Sequence, residues 1–324
     1  MKAVVLYQPG NPENLIIEDR QVPEPEKDQV LVKVRAFGLN RSEIMTRKGY
    51  SPSVKFPRVL GIECVGEIEK DPTGKFQKGQ KVMAFMGEMG RAYDGGYAEF
   101  TVLPGSIIYP IQSTLPWDIL GAIPEMFQTV HGSLFPALNI QKGETLLIRG
   151  GTSSVGFLAI QVAQKQGLKV IVTTRNPNKR KMLLEAGASE VLIDEGKLQD
   201  QIRSIYPEGV DKVMELVGAK TLQDSVQCVK PGGTVCMTGM LSESWSIPDF
   251  APMEFIPATV RLTIYDSGQI KSPVKDFQTF IDSLEAEEYQ LKIGKVFKTD
   301  QIAEAHRLME ANMANGKIVI VTQH

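Results

Sequence analysis

The chain is poor in the residues that staple or metallate a protein. Three cysteines (Cys64, Cys228, Cys236) and three histidines (His131, His306, His324) stand among 324 residues, and no C-x-x-C pair occurs. An odd number of scattered cysteines excludes a disulfide framework and reads as reduced thiols in a cytoplasmic protein. An excess of one charge is also missing. Lys and Arg number 36 against 38 Asp and Glu, for a formal net charge of −2. That balance carries no electrostatic footprint for nucleic acid or for an anionic membrane. No apolar run approaches the ~18 residues of a membrane span. The opening MKAVVLYQPG has too short an apolar stretch for a signal peptide. Repeats and low-complexity tracts are absent, which excludes solenoids and long linkers.

What is present is an ordinary globular composition, 42% hydrophobic and 23% charged, in a length that suggests about two domains at ~150 residues each. The first part is strand-rich. VLVKVRAFGLN alternates Val30, Val32 and Val34 against Lys33 and Arg35, the pattern of a half-buried strand. ECVGEIE, KVMAF and GYAEFTVL follow between glycine and proline turns, which predicts a twisted, barrel-like β domain. After about Leu120 the rhythm changes. Strands ETLLIRGG, KVIVTT, EVLID, DKVMELVG, GGTVCMTG and TVRLTIYDS alternate with helical segments, the first being VGFLAIQVAQKQG, where Val155, Leu158, Ala159, Val162 and Ala163 keep helical spacing. Such alternation predicts βαβ units and a six-stranded parallel sheet of the dinucleotide-binding Rossmann type. The closing strand KIVIVT is expected to return to the first domain. The expected division is a β-rich catalytic domain over 1–118 and 270–324, and a Rossmann domain over 119–269.

The segment RGGTSSVG lies between the first strand and first helix of that series. Small residues there let backbone amides approach a pyrophosphate, and the helix start adds a favourable partial charge. The candidate cofactor loop is Gly150, Thr152, Ser153, Ser154, Val155 and Gly156. Its spacing departs from G-x-G-x-x-G, so an ordinary tight turn is the competing reading and the strand–helix context decides against it. At the end of the second strand, where NAD-selective folds place an acid, the chain has Thr174 and Arg175, with Lys179 close behind. A guanidinium binds a 2′-phosphate that a carboxylate would repel. A solvated helix start is the bland alternative, but the helix dipole disfavours cations there. The expected cofactor is NADPH.

Together MKAVVL, GLNRSEIMTRKGY, PRVLGIECVGEI, RGGTSSVG, AGASEVL, PGGTVCMTG and GKIVIV resemble the medium-chain dehydrogenase/reductase superfamily. Within it the chain is most similar to the zinc-independent quinone oxidoreductase (zeta-crystallin-like) branch, close to the 2-enoyl thioester reductases. The resemblance implies an α/β fold, a doubly wound parallel Rossmann sheet plus a GroES-like catalytic domain. It also implies a homodimer, paired through the edge strand Thr259 to Ser267. Zinc-dependent relatives carry a cysteine where this chain has Asn40. Their Gly-His-Glu motif reads Gly61-Ile62-Glu63 here, and the four-cysteine lobe of some relatives is missing. Zinc needs about four N, S or O ligands, so no metal is expected and Glu63 reads as a polar structural residue.

Without a Lewis acid the suitable chemistry is hydride transfer to an already electrophilic carbon, as in quinones and α,β-unsaturated carbonyls, including enoyl thioesters. The protein must then position the acceptor and stabilise or protonate the developing oxyanion. The resemblance places Asn40 near the nicotinamide and the acceptor carbonyl, and Thr129 against the nicotinamide ribose. For Asn40 a turn role remains the alternative. Tyr50 matches the proton-donor tyrosine of the 2-enoyl thioester reductases, but it follows Asn40-Arg41-Ser42-Glu43 one residue too early. The leading reading is an NADPH-dependent quinone or enone reductase. A 2-enoyl thioester reductase, with Arg41, Arg47 and Lys48 as phosphate-binding cations, is the second. A non-catalytic nucleotide-binding protein is the third.

Overall fold

The computed structural model describes residues 1–323, which form two units: 1–126 with 273–323, and 127–272. The expected boundaries at 118/119 and 269/270 fall slightly earlier. His324 lies outside the described residues.

In the first unit, β1 (Lys2–Leu6) pairs with β2 (Leu15–Asp19), continues through β3 (Gln29–Gly38), and leads into α1 (Arg41–Arg47). Strands β4 (Arg58–Val59), β5 (Glu63–Lys70), β6 (Lys81–Phe85), β7 (Phe100–Pro104) and β8 (Ile108–Pro110) follow, then α2 (Trp117–Leu120) and α3 (Pro124–Gly132), whose residues from Phe127 on belong to the second unit. The expected barrel resolves into two sheets. One has the order β2-β1-β4, and the other is built on β3, β5, β6 and β8 with β7 on the flank of β3. They join where Val4 N donates to Tyr97 O at 2.9 Å and Glu99 N to Lys2 O at 3.0 Å. In β3, Val30, Val32 and Val34 are fully buried as the alternation predicts, and Leu31 is buried with them. Lys33 and Arg35 are partly exposed.

The second unit is the parallel sheet. Its strands are β9 (Thr145–Arg149), β10 (Lys169–Thr174), β11 (Glu190–Ile193), β12 (Val210–Glu215), β13 (Val229–Met237) and β14 (Arg261–Ile264). Its helices are α4 (Ser154–Lys165), α5 (Arg180–Glu185), α6 (Leu198–Ile205), α7 (Ala219–Gln227) and the short α8 (Pro252–Phe255). The sheet order is β11-β10-β9-β12-β13-β14, every pair parallel. In chain order that is 3-2-1-4-5-6, the doubly wound arrangement whose strand order reverses beside β9. Leu146–Ile148 and Val170–Val172 are buried without alternation, because both faces of a parallel sheet are covered. Helix α4 is more apolar than its predicted stripe: Phe157 and Ile160 are buried too, whereas Val155 is half-buried. The expected strand Thr259 to Ser267 shortens to Arg261–Ile264. Thr259, at φ 67°, is in the left-handed region and cannot extend it. Among the described residues no strand pairs with the outer side of β14.

The chain then returns to the first unit through α9 (Val274–Glu285), β15 (Ile293–Lys298), α10 (Ile302–Glu310) and β16 (Lys317–Val321). Strand β16 pairs antiparallel with β3, Val319 opposite Gly38, and parallel with β15. Strand β16 thus belongs to the sheet of the first unit, which it completes to seven strands.

Helix α10 buries His306 completely. Its Nδ1 accepts from Arg47 Nε at 3.3 Å, so the ring proton sits on Nε2, 3.2 Å from the Tyr97 hydroxyl. Arg47, 1% exposed, also lies 2.8 Å from Glu310 Oε2 as an ion pair and donates to Gly10 O. Burial first, and the Arg47 charge second, push the imidazole down to about 3.

Candidate active site

Asn40 follows β3 and caps α1. Its backbone N–H donates to Glu43 Oε2 at 2.9 Å, the return half of a capping box. Its side chain is 8% exposed and turned into the unit. Oδ1 accepts from Lys317 Nζ at 2.5 Å, while Nδ2 donates to Glu63 Oε1 at 2.8 Å and reaches Glu43 Oε1 at 3.4 Å. The Lys317 ammonium also donates to Glu63 Oε1 at 2.8 Å and lies 3.8 Å from Glu125 Oε2. Glu63 Oε2 accepts from the Glu125 N–H at 2.7 Å, and Glu43 Oε1 from the Ile62 N–H at 3.1 Å. A side chain at Gly38 would collide with Glu63 and Lys317, so glycine there makes room for the cluster.

The electrostatics follow from burial. Desolvation raises Glu43 to about 7, backed by the neighbouring Glu63 charge and opposed by the Ile62 N–H and Lys317. Desolvation also acts to lower Lys317, but Glu63, Glu125 and Glu43 outweigh it and hold the ammonium above its ordinary range. A fully buried charge persists only when paired and hydrogen-bonded, and these partners meet that condition. Sequence reasoning missed Lys317, which opens an apolar strand and reads as an exposed strand end, and it gave Glu43 no role. The signal for the cluster was Glu63, an acid inside the apolar run VLGIECVG that needed a counter-charge.

The other candidates of this unit stand apart from the cluster. Tyr50, beyond α1, is 61% exposed. Arg47 is buried and committed, and Lys48 lies 3.0 Å from Glu310. The expected cationic groove of Arg41, Arg47 and Lys48 therefore fails at Arg47, because its guanidinium points into the core. Among the described residues, no group of three or more His, Cys, Asp and Glu is placed to hold a metal ion.

In the second unit the glycine loop has the geometry of a phosphate cradle. Gly150 takes φ 96°, a conformation that side chains rarely adopt. A Cβ on Gly151 would overlap Val172, and one on Gly156 would lie 2.7 Å from Gly150 O. Each glycine therefore keeps the strand, turn and helix in contact. Ser153 caps α4: its hydroxyl accepts from Gly156 N at 3.0 Å and donates to Gly150 O at 3.0 Å. Phe157 N returns to Ser153 O at 2.9 Å. That leaves the amides of Ser154 and Val155 as helix-start donors without an intrahelical partner. At the end of β10 Thr174 is buried, its hydroxyl accepting from Asn176 N at 3.0 Å, while Arg175 is exposed and Lys179 precedes α5. Thr129 is buried in α3. Beside it Gln128 is tied to Ser272 N and Ile270 O, and the half-buried His131 is 2.7 Å from the Ser272 hydroxyl.

Two family models match. Residues 26–113 match the alcohol dehydrogenase GroES-like domain, and residues 154–286 match the zinc-binding dehydrogenase domain. The quinone oxidoreductase of Rattus norvegicus is 30% identical over 99% of this chain and 98% of its own length. The chain belongs to the medium-chain dehydrogenase/reductase superfamily. The quinone oxidoreductase of Homo sapiens is 29% identical over the same shares of both chains. Among solved structures, a mycobacterial protein complexed with NADPH superposes with a TM-score of 0.88 at 25% identity, covering 99% of each chain. As a superfamily member with quinone oxidoreductase relatives, the chain is an oxidoreductase on a nucleotide-binding fold that acts on small molecules. Among the described residues no helix is long and apolar enough to cross a membrane.

Proposed function

We propose that this chain is an NADPH-dependent reductase of quinones or α,β-unsaturated carbonyls, and that it works without zinc. The observation that carries the metal-free reading is the Lys317 ammonium, seated against Asn40 and Glu63 at the positions that resemble a zinc ligand and its neighbour. Together with Ile62 in place of histidine, this donor set does not fit zinc, which needs thiolate, imidazole or carboxylate in a tetrahedral array.

The dinucleotide does fit the second unit. The Ser154 and Val155 amides at the start of α4 would hold its pyrophosphate, and Arg175 with Lys179 its 2′-phosphate. When bound, the reduced nicotinamide supplies the hydride. On the acceptor side, Asn40 is held by Lys317 and Glu63 with one amide hydrogen only weakly engaged, its Nδ2 lying 3.4 Å from Glu43 Oε1. That hydrogen would donate to the acceptor oxygen as negative charge develops there. Tyr50, exposed and outside this network, carries the proton-donor role only in the enoyl thioester reading.

An acceptor panel tests the reading. NADPH should be consumed with a quinone or an enone, and a crotonyl thioester should be reduced far more slowly because Arg47 offers its phosphates no cation. Faster reduction of the thioester would reverse the order, and no turnover with any acceptor would favour a non-catalytic nucleotide-binding protein. The cofactor half has its own check. Arg175→Ala should weaken NADPH binding by ~1.5–3 kcal/mol, the scale of a hydrogen bond to a charged group. NADH binding should stay nearly unchanged, and equal losses for both cofactors would make Arg175 structural.

A further inference from the structure

We infer that the buried Arg149 is a specificity-determining residue: by binding Asp194 with both arms of its guanidinium, it masks the carboxylate beside Arg175 and lets this end of the sheet accept a 2′-phosphate. The inference rests on the NADPH reading and adds a pair of residues to it.

The geometry begins with register. β10 and β11 run parallel with Thr174 opposite Ile193, and the Asp194 N–H donates to Thr174 O at 3.0 Å. The next residue of each strand, Arg175 and Asp194, therefore leaves the sheet side by side at its carboxyl end. Ligands bind α/β sheets at that end, and a carboxylate there is the feature that disfavours a 2′-phosphate. Asp194, one strand over at the end of β11, brings a carboxylate beside that position. Burial is the largest single influence and acts to raise it, but the Arg149 hydrogen bond and charge, the Gly196 N–H and the Arg175 charge together outweigh it and keep the carboxyl below its usual range. It is an anion that needs an answering charge.

Arg149 supplies that charge from behind. Nε and Nη2 reach the two Asp194 oxygens at 2.7 and 2.8 Å, a fork-to-fork pair. Nη1 is used by Asp224 Oδ2 at 2.7 Å, Ser225 Oγ at 3.0 Å and Thr221 O at 3.1 Å. With 0% exposure, the guanidinium cannot itself reach a cofactor phosphate. It acts through Asp194. Arg175 is different: it is exposed and has no ion pair within 4 Å among the described residues. With Asp194 masked by Arg149, the charge of Arg175 remains available to an incoming phosphate. A solely structural Arg149 would brace the strand ends but would treat NADPH and NADH alike.

Fluorescence titration of NADPH and NADH against the purified full chain separates these cases, read as the ratio of the two dissociation constants. The wild type should favour NADPH. Arg149→Met unmasks Asp194 and should cut that preference about five-fold or more, while Asp194→Asn leaves Arg149 in excess and should raise it about three-fold. The double variant, with neither charge, should return to within about two-fold of wild type. Asp194→Asn keeps the test decisive if Arg149→Met does not fold. A wild type that prefers NADPH but shows the same ratio in Asp194→Asn overturns the masking alone. A wild type that prefers NADH overturns the NADPH reading itself.

Discussion

Lys317→Met should cost roughly 3–5 kcal/mol of stability, the scale of removing one partner from a buried ion pair. The methionine fills a similar volume but leaves Glu63, at 0% exposure, without its cation and Asn40 Oδ1 without its donor. The remaining bonds to Glu63, from Asn40 Nδ2 and the Glu125 N–H, are too few to hold a charge away from water. Adding Glu63→Gln to the same chain removes the orphaned charge, so the double variant should recover much of the loss. Urea denaturation at neutral pH measures all three chains. A cost under about 1 kcal/mol for the single variant is the value expected of an exposed pair, and it would mean that the cluster is wet and that Lys317 does not fix Asn40.

The second large effect is a pair of opposing pH dependences that the native chain hides. His306 is held near 3, below its unfolded value of 6.5. The unfolded state therefore binds the extra proton, and this contribution is present above pH 6.5 and lost as pH falls toward 3. Glu43 is raised from 4.5 to about 7, so its folded form binds the extra proton. Its contribution is full below pH 4.5 and is lost as pH rises through 7. Between about pH 4.5 and 6.5 the two slopes, each roughly 1.4 kcal/mol per pH unit, should nearly cancel. Glu43→Gln should expose the histidine slope, so that the variant is roughly 3 kcal/mol less stable near pH 4 than near pH 7. His306→Gln should show the opposite sign over the same range. Parallel stability profiles in all three chains would contradict both assignments.

These two clusters also mark the limit of what the sequence conveys. The strand-to-helix turn was legible because its signals are local: Gly150, Ser153 and Gly156 fall within it, and Arg175 directly follows the very next strand. Six apolar runs in alternation with helices marked the sheet, and the closing strand KIVIVT returns to the first unit as expected. The acceptor side was half legible. Asn40 stood out by the resemblance and Glu63 read only as a polar structural residue, while Lys317 reaches Asn40 from 277 positions away. No spacing rule connects residues that only the antiparallel pairing of β3 with β16 brings together. Arg47 shows the converse error. A cation on a short helix reads as exposed, yet the packing of α10 over α1 buries it against His306 and Glu310. Arg149 was hidden in the same way, because its acids come from the end of β11 and from α7.

The central claim is hydride transfer from NADPH to an electrophilic acceptor by a site that uses a buried ammonium and an amide, with no zinc. NADPH oxidation with a quinone, followed at 340 nm on protein dialysed against a strong chelator, tests it most directly. The account predicts steady turnover equal to that of undialysed protein and unchanged when zinc is added back. Turnover that disappears on dialysis and returns with zinc would contradict it.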